Sequence, residues 1–190
     1  MTTPRAVLEF WFAPQARPRW FEKDKAFDDE IRSRFGALVH QAQLGALDGW
    51  QQSPEGTLAL LILLDQFSRN IYRGEAKAFL GDAQARAIAD RAIAKGFDRQ
   101  VEDDRQHFFY LPFEHGESRA DQQRCIELFT AAVDRAAPAE RDTAIEQLDY
   151  AHRHRIIIER FGRFPHRNEA LGRPNTEADE TFLKGPDSAF

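Results

Sequence analysis

The hydrophobic positions of this chain recur at steps of three and four, with little of the strict alternation that marks a half-buried strand, so the pattern predicts helices and no sheet. Thr3-Pro4 supplies a cap and a proline at the first helical position ahead of the apolar "VLEFWF". Phe27, Ile31, Phe35, Leu38 and Ala42 place a second helix over Lys25 to Leu47. Ser53-Pro54-Glu55 opens a third, which runs through "LALLILLDQFSRNIY" to about Tyr72 and ends at Gly74.

A fourth, alanine-rich helix is expected from Asp82 to Lys95, stopped by Gly96, and a fifth from Gln100 to Leu111, stopped by Pro112. Ser118 caps a sixth that closes near Pro138, and a seventh covers Ala139 to Phe161. Short helices follow around Arg167 to Leu171 and Thr176 to Leu183. Loops of a few residues between consecutive helices predict antiparallel neighbours. No linker is long enough to separate two domains. The expectation is one all-α domain, an array of about seven main helices, in which any internal repeat is degenerate.

Composition narrows the function classes. The 190 residues carry a formal charge of −5 and 42% hydrophobic residues, as an ordinary globular protein does. An acidic balance argues against a nucleic-acid partner held by a broad basic face. One cysteine, Cys125, excludes an internal disulfide and fits a reducing cytoplasm. The longest apolar run, Leu58 to Leu64, is seven residues, against the roughly 20 that a membrane span needs, and no signal peptide is visible. The expected location is the cytoplasm, with no membrane partner.

One stretch departs from this plain picture. "HRHRIIIERFGRFPHRN", His152 to Asn168, gathers five arginines and three histidines beside isoleucines and phenylalanines, with Glu159 as its one acid. On a wheel of the seventh helix, Asp142, Glu146, Asp149, Arg153 and Arg160 form a solvent face, while Ile145, Leu148, Ala151, Ile156, Ile158 and Phe161 cover most of the rest. His152, Arg155 and Glu159 fall inside that apolar arc. Buried charges need partners, so the pattern predicts a largely buried Arg155–Glu159 pair with His152 one turn away. It serves either to pin helices or to line a ligand site.

Two other places show the same anomaly. After seven apolar residues the third helix presents Asp65, Gln66, Arg69, Asn70, Tyr72 and Arg73. In "FFYLPFEHGES", Glu114, His115, Gly116 and Glu117 follow Pro112 in a turn, where His115 suits a general base and Glu117 suits the start of the sixth helix. The loop "RFGRFPHRN" then displays Arg163, His166, Arg167 and Asn168 on a turn shaped by Gly162 and Pro165. Guanidiniums beside an amide and an imidazole suit a phosphate or carboxylate. The alternative is arginines lying over phenylalanines and capping helix carbonyls. Asp24, Asp28, Arg32 and Arg34 read as a solvated face, with pairing of Asp24 or Asp28 to the basic loop as the alternative. No zinc-helix histidine pair, Cys-x-x-Cys, phosphate loop, nucleophile elbow or dinucleotide fingerprint occurs, so neither metal nor other cofactor is expected.

The blocks "VLEFWF", "RWFEKDKAFDDEIRSRF", "LALLILLDQFSRNIYRG", "FFYLPFEHGES" and "AHRHRIIIERFGRFPHRNEALGR" span nearly the whole chain. Together they resemble the bacterial family known as domain of unknown function 924. The resemblance implies an all-helical fold similar to the tetratricopeptide-repeat superfamily and implies no activity. Gly116 departs from the family's usual serine.

The leading expectation is a tetratricopeptide-like binding protein with one polar pocket for a small anionic molecule. Asp65, Gln66, Arg69, Asn70, Glu117, His152, Arg155, Glu159, Arg163, Arg167 and Asn168 would line it, with His115 or His166 available for acid–base work. The rival readings are a peptide-binding groove and a purely structural charge network.

Overall fold

In the computed structural model of the protein, which describes residues 3–186 and residue 188, the expected helix starts carry the caps that the sequence supplies. Thr3 caps α1 (Pro4–Trp11), Asp24 caps α2 (Lys25–Gln43) and Ser53 caps α3 (Pro54–Leu61). Each side-chain oxygen accepts the otherwise orphaned N–H three residues on. Further along lie α4 (Ser68–Ile71), α5 (Asp82–Ala94), α6 (Asp103–Gln106), α7 (Leu111–Glu114), α8 (Arg119–Arg135), α9 (Arg141–Phe161) and α10 (Glu177–Leu183). Ser118 caps α8, and Thr176 with Asp179 forms a reciprocal capping box at α10. No strand occurs among the described residues, so the fold is all-α. None of the described helices is long and apolar enough to cross a membrane.

The chain divides into two compact units, Met1–Phe109 and Tyr110–Phe190. In the first, α1 packs on α3, α3 on α5, and α2 on the stretch from Ile62 to Ile71. Its core is aromatic. The Trp11 ring stacks 5.5 Å from Trp20 and 6.1 Å from Phe27, and Phe35 sits 5.0 Å from both Phe10 and Phe67. Burying side chains of this size stabilises by roughly 1.5–3 kcal/mol each before entropy is counted. The expected third helix is continuous in outline, but Ile62–Phe67 between α3 and α4 is π-helical. Such a turn is wider than an α-turn and leaves main-chain carbonyls to be met by side chains. Ser68 Oγ donates to Leu63 O at 3.2 Å and Arg69 to Asp65 O at 2.9 Å.

In the second unit α7 and α9 both pack on α8, and α10 packs on the short turn Pro165–Arg167. Ile157, Ile158 and Phe164 form a core cluster with Phe161 and Phe182 against it. Gly162 closes α9 in the left-handed conformation (φ 68°), its N–H donating to Ile158 O at 2.9 Å.

Four expectations about elements need correction. Pro112 does not end a helix over 100–111; it stands in the first turn of α7, where its missing N–H leaves no acceptor unmet. The second helix stops at Gln43, four residues early, and no helix covers 167–171. The fourth concerns α9. Its buried residues are Ala151, His154, Ile157 and Ile158, while Ile145 and Ile156 point outward, Ile156 61% exposed. Much of any protein surface is apolar, so an isoleucine marks a helix face weakly. Those two pulled the inferred apolar arc around the wheel.

Candidate functional site

The rotated face of α9 changes which charges are buried. His152 is exposed. Arg155 and Glu159 do pair, at 2.7 Å, but their side chains are 36% and 48% exposed, so the expected buried pair is a surface pair. His154 takes the interior position instead, 1% exposed. Its Nδ1 lies 3.0 Å from Tyr150 O and 3.7 Å from Glu114 Oε1. The carboxylate is beyond hydrogen-bond reach, so the carbonyl contact places the proton on Nδ1 of a neutral ring. Burial pushes the His154 pKa down to about 3, and the nearby His115, Arg167 and His166 push the same way.

The loop arginines already have partners. Arg163 reaches Asp179 at 2.5 Å and Pro174 O at 3.1 Å. Arg173, which the sequence pattern did not single out, clamps Glu117 through two bonds of 2.6 and 3.0 Å. It also donates to Phe164 O and to Asn168 Oδ1. Glu117 accepts in addition from Phe164 N at 2.8 Å. Burial works against its charge, but Arg173 and that N–H outweigh burial and hold its pKa below the ordinary glutamate value. Asn168 is buried between Asn175, Asp179 and Arg173. Arg167 is buried over the Phe164 ring at 4.5 Å and donates to His115 O at 3.1 Å. His115 and His166 are half-buried beside this network. Arg163 and Arg173 are therefore each answered by a carboxylate, Asp179 and Glu117, within the loop network.

Asp65, Gln66, Arg69 and Asn70 belong to the first unit, where they form a second network. Asp65 and Gln66 are buried in the π-helical segment, 2.6 Å apart. Arg69 pairs with Asp65 at 2.8 Å and forks onto both oxygens of Asp82 at 3.1 Å. Burial opposes the charge on Arg69, yet Asp65 and Asp82 prevail and raise its pKa. Asn70 and Arg73 hold Asp28, which the pattern had placed on a solvated face and which is buried. Asp28 falls in step with the buried face of its helix, three before Ile31 and seven before Phe35, and Asn70 and Arg73 answer its charge there.

Within the second unit a cleft opens between α8 and α9. Its volume is about 420 Å³, and it is lined by Arg119, Gln122, Gln123, Arg155, Ile158 and Glu159. That is within the range of small-ligand sites. Two guanidiniums face one carboxylate there. Arg119, in the first turn of α8, makes no ion pair among the described residues. Arg155 also donates to Gln123 Oε1 at 3.2 Å. Of the expected site residues, the cleft brings together Arg155 and Glu159 and none of the others. Arg119 and the two glutamines escaped the sequence reading because polar residues at the start of a helix look solvated. Among the described residues no group of three or more His, Cys, Asp or Glu side chains is placed to hold a metal ion. Cys125 is buried and its thiol is pushed up by burial, away from any nucleophilic role.

Residues 7–187 match the model of a family described as "Bacterial protein of unknown function (DUF924)". The chain is also similar to a solved structure from Agrobacterium tumefaciens, the protein of unknown function ATU0120. The two are 40% identical, the match covers 95% of this chain and 96% of that one, and the TM-score is 0.83. No curated protein matches the chain.

Proposed function

The chain belongs to the DUF924 family of bacterial proteins of unknown function, and for this member we propose a cytoplasmic, tetratricopeptide-like helical protein that binds a small anionic molecule in the cleft between α8 and α9. The observation that carries the reading is the charge balance of the cleft: Arg119 and Arg155 against Glu159 alone. Glu159 already answers Arg155, which leaves Arg119 with its full charge at the cleft wall. A phosphate or carboxylate placed between the two guanidiniums accepts from both, and Ile158 gives the rest of the molecule an apolar floor. The proposed role is binding, with no reaction step, since His115 and His166 do not line this cleft.

The test is thermal melting of the full chain in phosphate or sulfate against chloride at matched ionic strength. The divalent anions are expected to raise the melting temperature more, and a ligand at about 100 times its Kd adds about 2.7 kcal/mol. Arg119→Ala removes an exposed, unpaired side chain, so it leaves the fold intact and is expected to abolish the difference. An equal response to all three salts, or an unchanged difference in the variant, overturns the reading.

A further inference from the structure

The outward face of α9 is not polar throughout. None of residues 141–150 is buried, and beyond them the buried positions keep to one side of the helix: Ala151, His154, Ile157 and Ile158. On the opposite side Ile145 is 46% exposed and Ile156 61%. A scattered exposed isoleucine is ordinary, but these two stand in register. With Asp149 and His152, both exposed, they follow steps of four, three and four. At 100° per residue the four side chains fall within an arc of about 60°. That is the spacing by which two helices pack along a shared seam.

The exposed charges beside the seam say which helix fits it. Along one flank come Asp142, Glu146 and Asp149, then Arg153 and Arg160, acids first and bases after. Along the other, Arg141 stands at the start and Glu159 near the end. A helix of the same sequence running the opposite way reverses both orders. With the two-fold axis level with Tyr150 and Ala151, Ile145 meets Ile156 of the second copy and Asp149 meets its His152. Arg160 then lies beside Asp142 of the second copy, Glu159 beside its Arg141, and Arg153 beside its Glu146. Within each helix Arg153 keeps Asp149 and Arg155 keeps Glu159. A copy running the same way would set acid beside acid and base beside base.

We infer that the partner of this face is a second copy of the chain, the two α9 helices pairing antiparallel in a self-complementary, two-fold contact. The 21 residues of α9 span about 30 Å. One helix pair of that length is small beside the roughly 800 Å² per partner of a standard interface. The dimer is accordingly a weak one, forming between about 10 µM and about 1 mM.

The test is sedimentation velocity of the full chain across that concentration range, where the mass is expected to rise from monomer to dimer. Ile156→Asp sets a carboxylate against Ile145 of the second copy and is expected to keep the chain monomeric throughout. Arg160→Asp sets acid against Asp142 at both ends of the contact and is expected to weaken the dimer about tenfold. The double variant Asp142→Arg with Arg160→Asp exchanges the charges and is expected to regain that loss. All three positions are exposed, so each variant keeps the fold of the monomer. A wild-type chain that stays monomeric to about 1 mM overturns the inference. So does a dimer that Ile156→Asp leaves intact, which uses another face, and so does a double variant no tighter than Arg160→Asp, which excludes the antiparallel register.

Discussion

Acidification should destabilise this protein well above the pH at which carboxylates protonate, because two histidines are buried in neutral form. Burial pushes His154 down to about 3 and His107 down to about 4, the latter with Arg17 pushing further down and Asp104 pulling back. In the unfolded chain both titrate near the ordinary value of about 6.5. Between those limits the unfolded state holds a proton that the folded state lacks, so stability falls as pH falls. The slope is about 1.4 kcal/mol per pH unit for each histidine. From pH 6.5 to pH 5 that amounts to about 2 kcal/mol per group, a large part of the 5–15 kcal/mol by which domains are usually stable.

His107 lies in the first compact unit and His154 in the second. If the units unfold in separate steps, each step should carry the slope of one histidine; if they unfold together, one step carries both. Urea melts at pH 7, 6 and 5 measure this. His154→Gln keeps an N–H donor for Tyr150 O while removing the titration, and should cut the slope by about one proton. A wild-type midpoint that does not move between pH 7 and 5, or a variant with the wild-type slope, would refute the claim that these rings are held neutral.

Three substitutions test the packing and the charge networks. Glu117→Ala leaves the Arg173 guanidinium and the Phe164 N–H without their acceptor, and denaturant melts should show a loss of about 2 kcal/mol, below the 3–5 expected of a fully buried pair because both side chains are about a quarter exposed. Glu159→Ala breaks only a surface pair and should cost under about 0.5 kcal/mol in the same assay. Gly81→Ala would bring a methyl carbon to 2.7 Å from the Leu64 main-chain carbonyl in the π-helical segment, so backbone must move; thermal melting should show a loss of at least about 1 kcal/mol, and a neutral result would mean that the segment yields freely.

Much of the fold was legible because it is written locally. Thr3, Asp24, Ser53, Ser118 and Thr176 are capping residues whose partners lie three positions on, within reach of any window along the chain. The π-helical turn was not legible. Nothing in "ILLDQF" favours a wider turn by composition; the side chains that meet its carbonyls, Ser68 and Arg69, are unremarkable in a helix. The candidate site divides the same way. That Asp65, Gln66 and Asn70 interrupt a buried helix followed from the apolar run before them, and all three are buried, whereas Arg167 and Asn168, expected on display in a turn, are buried too. Their partners did not follow. Asp82 lies 13 residues from Arg69, Asp28 lies 42 from Asn70, and Arg173 lies 56 from Glu117. Ion pairs and hydrogen bonds of that separation are made by topology, which periodicity does not encode.

The concentration of arginine in an acidic chain then has a local cause. From Phe164 to Asn175 the backbone is mostly irregular yet partly buried, and irregular backbone leaves carbonyls that no helix satisfies. Arginine carries five donors on one rigid fork, so one side chain can satisfy a carbonyl and a carboxylate together. Arg163 does so with Pro174 O and Asp179, and Arg173 with Phe164 O and Glu117. Arg167 adds His115 O. Glu117 and Asp179 repay the favour through backbone N–H groups, at Phe164 and Thr176. Charge in this loop is therefore a by-product of hydrogen-bond supply, balanced where it stands. Arg119, outside the basic stretch, makes no ion pair among the described residues, and it stands at the wall of the cleft between α8 and α9.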